Sequence, residues 1–185
     1  MILFINACVR EKSRTKRLAD RLLSKLNGEV KEIKLEKADF PKTNEEFLSL
    51  RDALLEKGDF DNKLFDYAKD FAKAEEIVIA APYWDLSFPA MLKQYLEQIC
   101  VVGVTFRYNS SGVPISLCKA KRLIYITTAG GEYVPFDFGF EYVKALSVSL
   151  FGIKDIKLVK ATGLDIEGKD EERILKKAEE EIDNL

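Results

Sequence analysis

The chain has 185 residues, 47% of them hydrophobic, enough for one well-buried core and short for two, so a single domain over residues 1–185 is expected. Its 29 basic and 31 acidic residues leave a formal charge of −2, which offers no footprint for nucleic acid or an anionic membrane, and no stretch approaches the roughly 20 apolar residues of a membrane span. No histidine is present and the three cysteines, Cys8, Cys100 and Cys118, lack Cys-x-x-Cys spacing, which removes the histidine-based triads and the common zinc sites and suits a soluble cytoplasmic protein with reduced thiols.

Residues 1–7, with Ile2-Leu3-Phe4-Ile5, read as a first strand, and Thr15 to Asn27 as a helix with Leu18, Leu22, Leu23 and Leu26 on one face, stopped by Gly28. The junction, Cys8 to Arg17, holds five cations (Arg10, Lys12, Arg14, Lys16, Arg17) around Ser13 and Thr15. A helix N-terminus carries unpaired N–H groups and partial positive charge, so cations there are unfavourable unless an anion joins them. A phosphate on the backbone N–H groups and the Ser13 and Thr15 hydroxyls would resolve the conflict. The alternative is that Ser13 or Thr15 caps the helix while the basic side chains stay solvated. Neither Gly-x-Gly-x-x-Gly nor Gly-x-x-x-x-Gly-Lys-Ser/Thr occurs, so a Rossmann dinucleotide site and a P-loop have no motif.

Val30, Ile33 and Leu35 mark a second strand. The charged stretch from Lys37 to Glu76 reads as solvated helices with buried stripes of Phe47, Leu50, Leu54 and of Leu64, Tyr67, Ala68, Phe71. A third strand, Glu76 to Ala81, empties abruptly into Pro82-Tyr83-Trp84-Asp85-Leu86, and a helix follows from Phe88 to Val101. Pro82 fixes the strand exit, and two rings beyond it suit a flat aromatic ligand; packing of Trp84 onto the following helix is the rival reading. Residues 104–116 form a hairpin insertion, Thr105-Phe106-Arg107-Tyr108 and Val113-Pro114-Ile115 about a turn of Asn, Ser and Gly.

The fourth strand of the sheet, Lys121 to Thr128, leads into Ala129-Gly130-Gly131-Glu132-Tyr133, where two glycines permit close backbone approach to a ligand or simply make a turn. A helix from Val134 to Leu150 carries Phe136, Phe138, Phe140 and Tyr142 near its start. With Tyr133 they are too dense in one connection to be all core, so part of this set should meet a ligand or another subunit. Glu132, Asp137 and Glu141 show no pairing that specifies acid–base work. A fifth strand, Ile156 to Ala161, and a charged helix from Asp170 to Asp183 end the chain.

Strands alternating with helices predict an α/β three-layer sandwich: five parallel strands in the order 2-1-3-4-5, with helices on both faces. The loops after strands one, three and four then share one edge of the sheet and together outline a phosphate-bearing flat ring.

The strings Ile77-Val78-Ile79-Ala80-Ala81-Pro82, Pro89-Ala90-Met91-Leu92-Lys93-Gln94-Tyr95, Gly103-Val104-Thr105-Phe106-Arg107-Tyr108, Lys121 through Gly131 and Phe151-Gly152-Ile153 make the chain resemble a known family. It is that of the FMN-dependent NADH azoreductases and related NAD(P)H quinone reductases, of flavodoxin-like fold. The resemblance implies FMN bound non-covalently at a homodimer interface, reduced by NADH or NADPH and reoxidised by a quinone, azo or nitroaromatic acceptor in a ping-pong cycle. The flavin then carries the chemistry and no side chain is catalytic. Arg10, Ser13, Arg14 and Thr15 would hold the phosphate, and Pro82, Tyr83, Trp84, Asp85 and Leu86 would line the isoalloxazine. Thr128, Ala129, Gly130, Gly131 and Tyr133 would close its other edge, with Phe106 and Phe136 in the substrate pocket. The family usually has Ser or Thr at Cys8, Asn at Asp85 and often Arg at Ala129. A carboxylate at 85 facing the ring would lower its reduction potential. A flavodoxin-type electron carrier without small-molecule turnover is the alternative, against which the near-neutral charge counts.

Overall fold

A computed structural model describes all residues from Met1 to Leu185. Its elements are β1 (Ile2–Asn6), α1 (Arg14–Leu23), β2 (Val30–Lys34), α2 (Glu45–Lys57), α3 (Asp66–Lys73), β3 (Glu76–Ala80), α4 (Ala90–Ile99), β4 (Phe106–Tyr108), β5 (Pro114–Ser116), β6 (Arg122–Thr128), α5 (Phe140–Ser149), β7 (Asp155–Ala161) and α6 (Glu171–Asp183). The five-stranded sheet runs β2-β1-β3-β6-β7 with every neighbour parallel, which is the expected order 2-1-3-4-5 once the antiparallel β4–β5 hairpin is set aside.

Alternation along the central strands sends side chains to two cores. Leu3, Ile5, Ile77, Ile79, Leu123 and Tyr125 pack with Phe71 of α3, Leu92, Tyr95, Leu96 and Ile99 of α4, and Phe140 and Val143 of α5. Ile2, Phe4, Val78, Ala80, Ile124 and Ile126 face the other way, onto Leu18, Ala19 and Leu22 of α1 and Leu175, Ala178 and Ile182 of α6. Strands buried on both faces read as continuous apolar runs, which is why β1 and β3 stand out in the sequence. No helix is long and apolar enough to cross a membrane.

Two helix boundaries and one buried position differ from expectation. Helix α5 begins at Phe140, not Val134, because residues up to Gly139 form a connection containing Pro135, which disfavours helix at the residue before it. The first helix ends at Leu23, where Ser24 closes it by donating its backbone N–H to Asp20 O. Leu50, expected in a buried stripe, is exposed on α2, while Phe47 and Leu54 are buried.

Candidate functional site

All the strand exits of the sheet open at one edge, and three of them, with the loop after β7, enclose a cleft of about 220 Å³. Its walls are Val9, Arg10, Lys12, Ser13, Arg14 and Thr15 after β1, Pro82, Tyr83 and Trp84 after β3, Thr128 and Gly130 after β6, and Asp165 after β7. A groove of about 600 Å³ lies elsewhere, between β7 and α6, but its lining is chiefly long charged side chains with no aromatic wall. The smaller cleft, at the carboxyl ends of the strands, is where an open α/β sheet binds its ligand.

The helix cap expected at the cationic loop is present. Ser13 is the N-cap of α1, its Oγ accepting from Lys16 N at 3.2 Å. Thr15 is buried and its Oγ1 lies 2.7 Å from Thr128 Oγ1, tying the first turn of α1 to the end of β6. Three of the five cations find carboxylates: Lys16 pairs with Asp20, Arg17 with Glu172 and Glu179, and Arg14 with Asp165 and Glu171. Arg10 and Lys12 line the cleft and enter no salt bridge, and the first turn of α1 holds no acidic residue. The positive end of the helix therefore meets two uncompensated cations, an arrangement suited to an anion.

The aromatic wall is built by a strained turn. Trp84 N donates to Ser87 O at 3.1 Å and Ser87 N to Trp84 O at 2.8 Å, with Asp85 at φ 50° and Leu86 at φ 66° between them. Two successive positive φ angles make a tight hairpin turn that ordinarily takes Asn-Gly; Asp tolerates the left-handed region, whereas Leu does so at a cost of roughly 1–2 kcal/mol. The turn keeps Trp84 38% exposed beside the cleft, so its ring is not folded into the core. Tyr83 Oη donates to Pro135 O at 3.0 Å and Ser87 Oγ to Phe138 O at 2.6 Å, strapping the connection before α5 to this turn. That connection divides its rings as its density implied: Phe140 is buried against Tyr125, Phe136 stands edge-on to Tyr83, and Tyr133 and Phe138 are 86% and 64% exposed.

The structure thus gathers Arg10, Ser13, Arg14, Thr15, Pro82, Tyr83, Trp84, Thr128 and Gly130 around one cleft. Asp85, Leu86, Gly131, Tyr133 and Phe136 lie outside its lining, and the Asp85 carboxylate has no hydrogen-bond or salt-bridge partner. Ala129 is buried, its N–H donating to Ala161 O. Phe106 is 5% exposed in the core, edge-on to Tyr108 and away from the cleft. Sequence reasoning passed over Asp165, although the parallel pattern puts the exit of the last strand at the same edge. Arg14 beside it holds the Asp165 carboxyl below the usual range. Cys8 is buried with its thiol pushed up to about 11 by desolvation, so it stays protonated at neutral pH.

Residues 1–185 match the family described as having the flavodoxin-like fold. An FMN-dependent NADH:quinone oxidoreductase 2 from Clostridium acetobutylicum is 35% identical over 95% of this chain and 92% of its own length. This chain belongs to that family. The FMN-dependent NADH:quinone oxidoreductase of Coprothermobacter proteolyticus is likewise 35% identical, over 95% of this chain and 91% of its own. Among solved structures, an azoreductase from Bacillus anthracis superposes with a TM-score of 0.84 at 24% identity, covering 99% of this chain and 96% of that one. A Bacillus anthracis FMN-dependent NADH-azoreductase in complex with FMN reaches 0.83 at 22%, covering 99% and 95%. These two share the fold of this chain, which supports the strand order of the sheet found here.

Proposed function

We propose that the cleft is the FMN site of an oxidoreductase, with the phosphate at the start of α1 and the isoalloxazine between the Pro82–Trp84 wall and the Thr128–Gly131 loop. The chain is an FMN-dependent enzyme of the quinone-reductase type, with NADH as co-substrate in keeping with the names of its relatives. The observation that carries the site assignment is Arg10 and Lys12 left without carboxylate partners at the N-terminus of α1, facing an aromatic wall across one cleft. When bound, FMN would take two electrons from the nicotinamide nucleotide and deliver them to a quinone, azo or nitroaromatic acceptor.

The side chains bind, orient and shield. Arg10 and Lys12 would supply uncompensated positive charge to a phosphate, and Arg14 and the Ser13 hydroxyl would add hydrogen-bond donors. Pro82, Tyr83 and Trp84 hold a flat ring on its apolar side, while Gly130 lets backbone approach it closely. With one bound flavin serving both partners, donor and acceptor would react with it in turn, which is ping-pong behaviour. Phe136 braces Tyr83 edge-on from outside the lining, whereas Phe106 is buried in the core.

A volume near 220 Å³ falls short of the roughly 300–1,000 Å³ of pockets that enclose a ligand of this kind. A second copy docking on the exposed Tyr133 and Phe138 would supply the missing wall, so the working form is a homodimer. With three unpaired thiols and a reduced nucleotide as donor, the cytoplasm is its compartment.

Purified protein should take up FMN, turn yellow and be bleached by NADH without oxygen. A preparation that takes up no FMN sinks the site assignment, and a yellow one that neither NADH nor NADPH bleaches makes it a carrier. The Arg10→Gln, Ser13→Ala double variant should lose roughly 10–100-fold in FMN affinity while keeping its far-UV circular dichroism.

A further inference from the structure

We infer that Asp165 is a positioning residue for cofactor recognition: it fixes the Arg14 guanidinium so that its remaining N–H groups are presented to the FMN phosphate. The inference rests on the reading of the cleft given above. Asp165 lies beyond the end of β7, yet its segment is fastened along the loop that follows β6. Gly163 N donates to Gly131 O at 2.8 Å, Leu164 N to Ala129 O at 3.2 Å and Asp165 N to Gly130 O at 3.0 Å. Its carboxylate accepts from Arg14 Nη1 at 2.8 Å, and the same nitrogen reaches Leu164 O at 3.4 Å and Glu171 Oε2 at 3.6 Å. Both hydrogen bonds of the side chain come from Nη1, and Nε and Nη2 donate none within the protein.

The carboxylate crosses directly over Gly130, where an added methyl would meet its carbon at 2.8 Å. One side chain therefore joins the first turn of α1 to the loop that would flank the flavin. The pair is too wet to matter much for folding, since Arg14 is 26% and Asp165 65% exposed as side chains. Its effect is to remove rotamer freedom from a long cation before the ligand arrives, so that less is lost on binding.

The test is FMN and riboflavin affinity, read by quenching of flavin fluorescence, for the full-length wild type, Asp165→Asn, Asp165→Ser, Arg14→Gln and the Arg14→Gln, Asp165→Asn double variant. Both Asp165 variants should weaken FMN binding about 5–10-fold and leave riboflavin affinity unchanged, and Asp165→Asn should add nothing once Arg14 is already Gln. Unchanged or tighter FMN binding would overturn the inference, the latter marking Asp165 as a competitor of the phosphate. An equal loss for riboflavin would overturn it too, as a structural effect. If wild type binds FMN no better than riboflavin, the phosphate assignment itself fails and this inference with it. A wild type that prefers FMN with insensitive Asp165 variants leaves that assignment standing and removes only the positioning role.

Discussion

Gly130 sits where the Asp165 carboxylate crosses the loop after β6, and its missing side chain is what allows the crossing. In Gly130→Ala the carboxylate must swing away, which releases Arg14 from its 2.8 Å bond. Because the segment is exposed and its backbone bonds remain, the expected loss of folding stability is within about 1 kcal/mol. FMN affinity should fall several-fold. Urea unfolding beside a flavin titration checks both, and a large stability loss with full affinity would refute this account. Thr15 lines the cleft, but its hydroxyl has a partner within the protein. Its hydroxyl was expected to meet a phosphate, yet it is within hydrogen-bonding distance of Thr128, a partner 113 positions away that no local pattern announces.

At the scale of elements, α1 and α6 lie side by side on one face of the sheet, joined above their apolar seam by charges. Arg17 reaches Glu172 and Glu179, and Arg21 and Lys25 both reach Asp183. Glu172 has its pKa lowered chiefly by the Arg17 hydrogen bond, and Asp183 by that of Arg21 and then Lys25. A carboxylate depressed in the folded state contributes stability that is fully present above its unfolded pKa, about 4, and is lost as pH falls through the folded value. Thermal midpoints should therefore be level from pH 7 to about 5 and decline below about 4, less steeply in 1 M salt and in a Glu172→Gln, Asp183→Asn variant. A decline beginning near pH 6 would contradict this, since the chain has no histidine to titrate there. The turn at Asp85 and Leu86 belongs to this scale as well. Its two positive φ angles hold because Tyr83 and Ser87 on either side are bonded to the connection before α5.

For the whole molecule, the exposed rings of Tyr133 and Phe138 and the partly open cleft lead to one expectation about assembly. Sedimentation at micromolar concentration should give twice the 21.1 kDa chain mass, and Tyr133→Glu with Phe138→Glu should return a monomer with looser FMN binding. A wild-type monomer would remove the homodimer from the proposal. The sequence alone determined the strand order, the shared edge of the loops and the identity of the aromatic and cationic walls. Period-two runs, proline exits and helix caps are local signals, and parallel connections allow few topologies. Only the tertiary structure decided which cations are already neutralised, that Phe106 is core, that Thr15 meets Thr128 and that Asp165 enters the site. Each of these depends on side chains brought together from strands far apart in the chain, and the spacing of residues along one strand carries no record of such meetings.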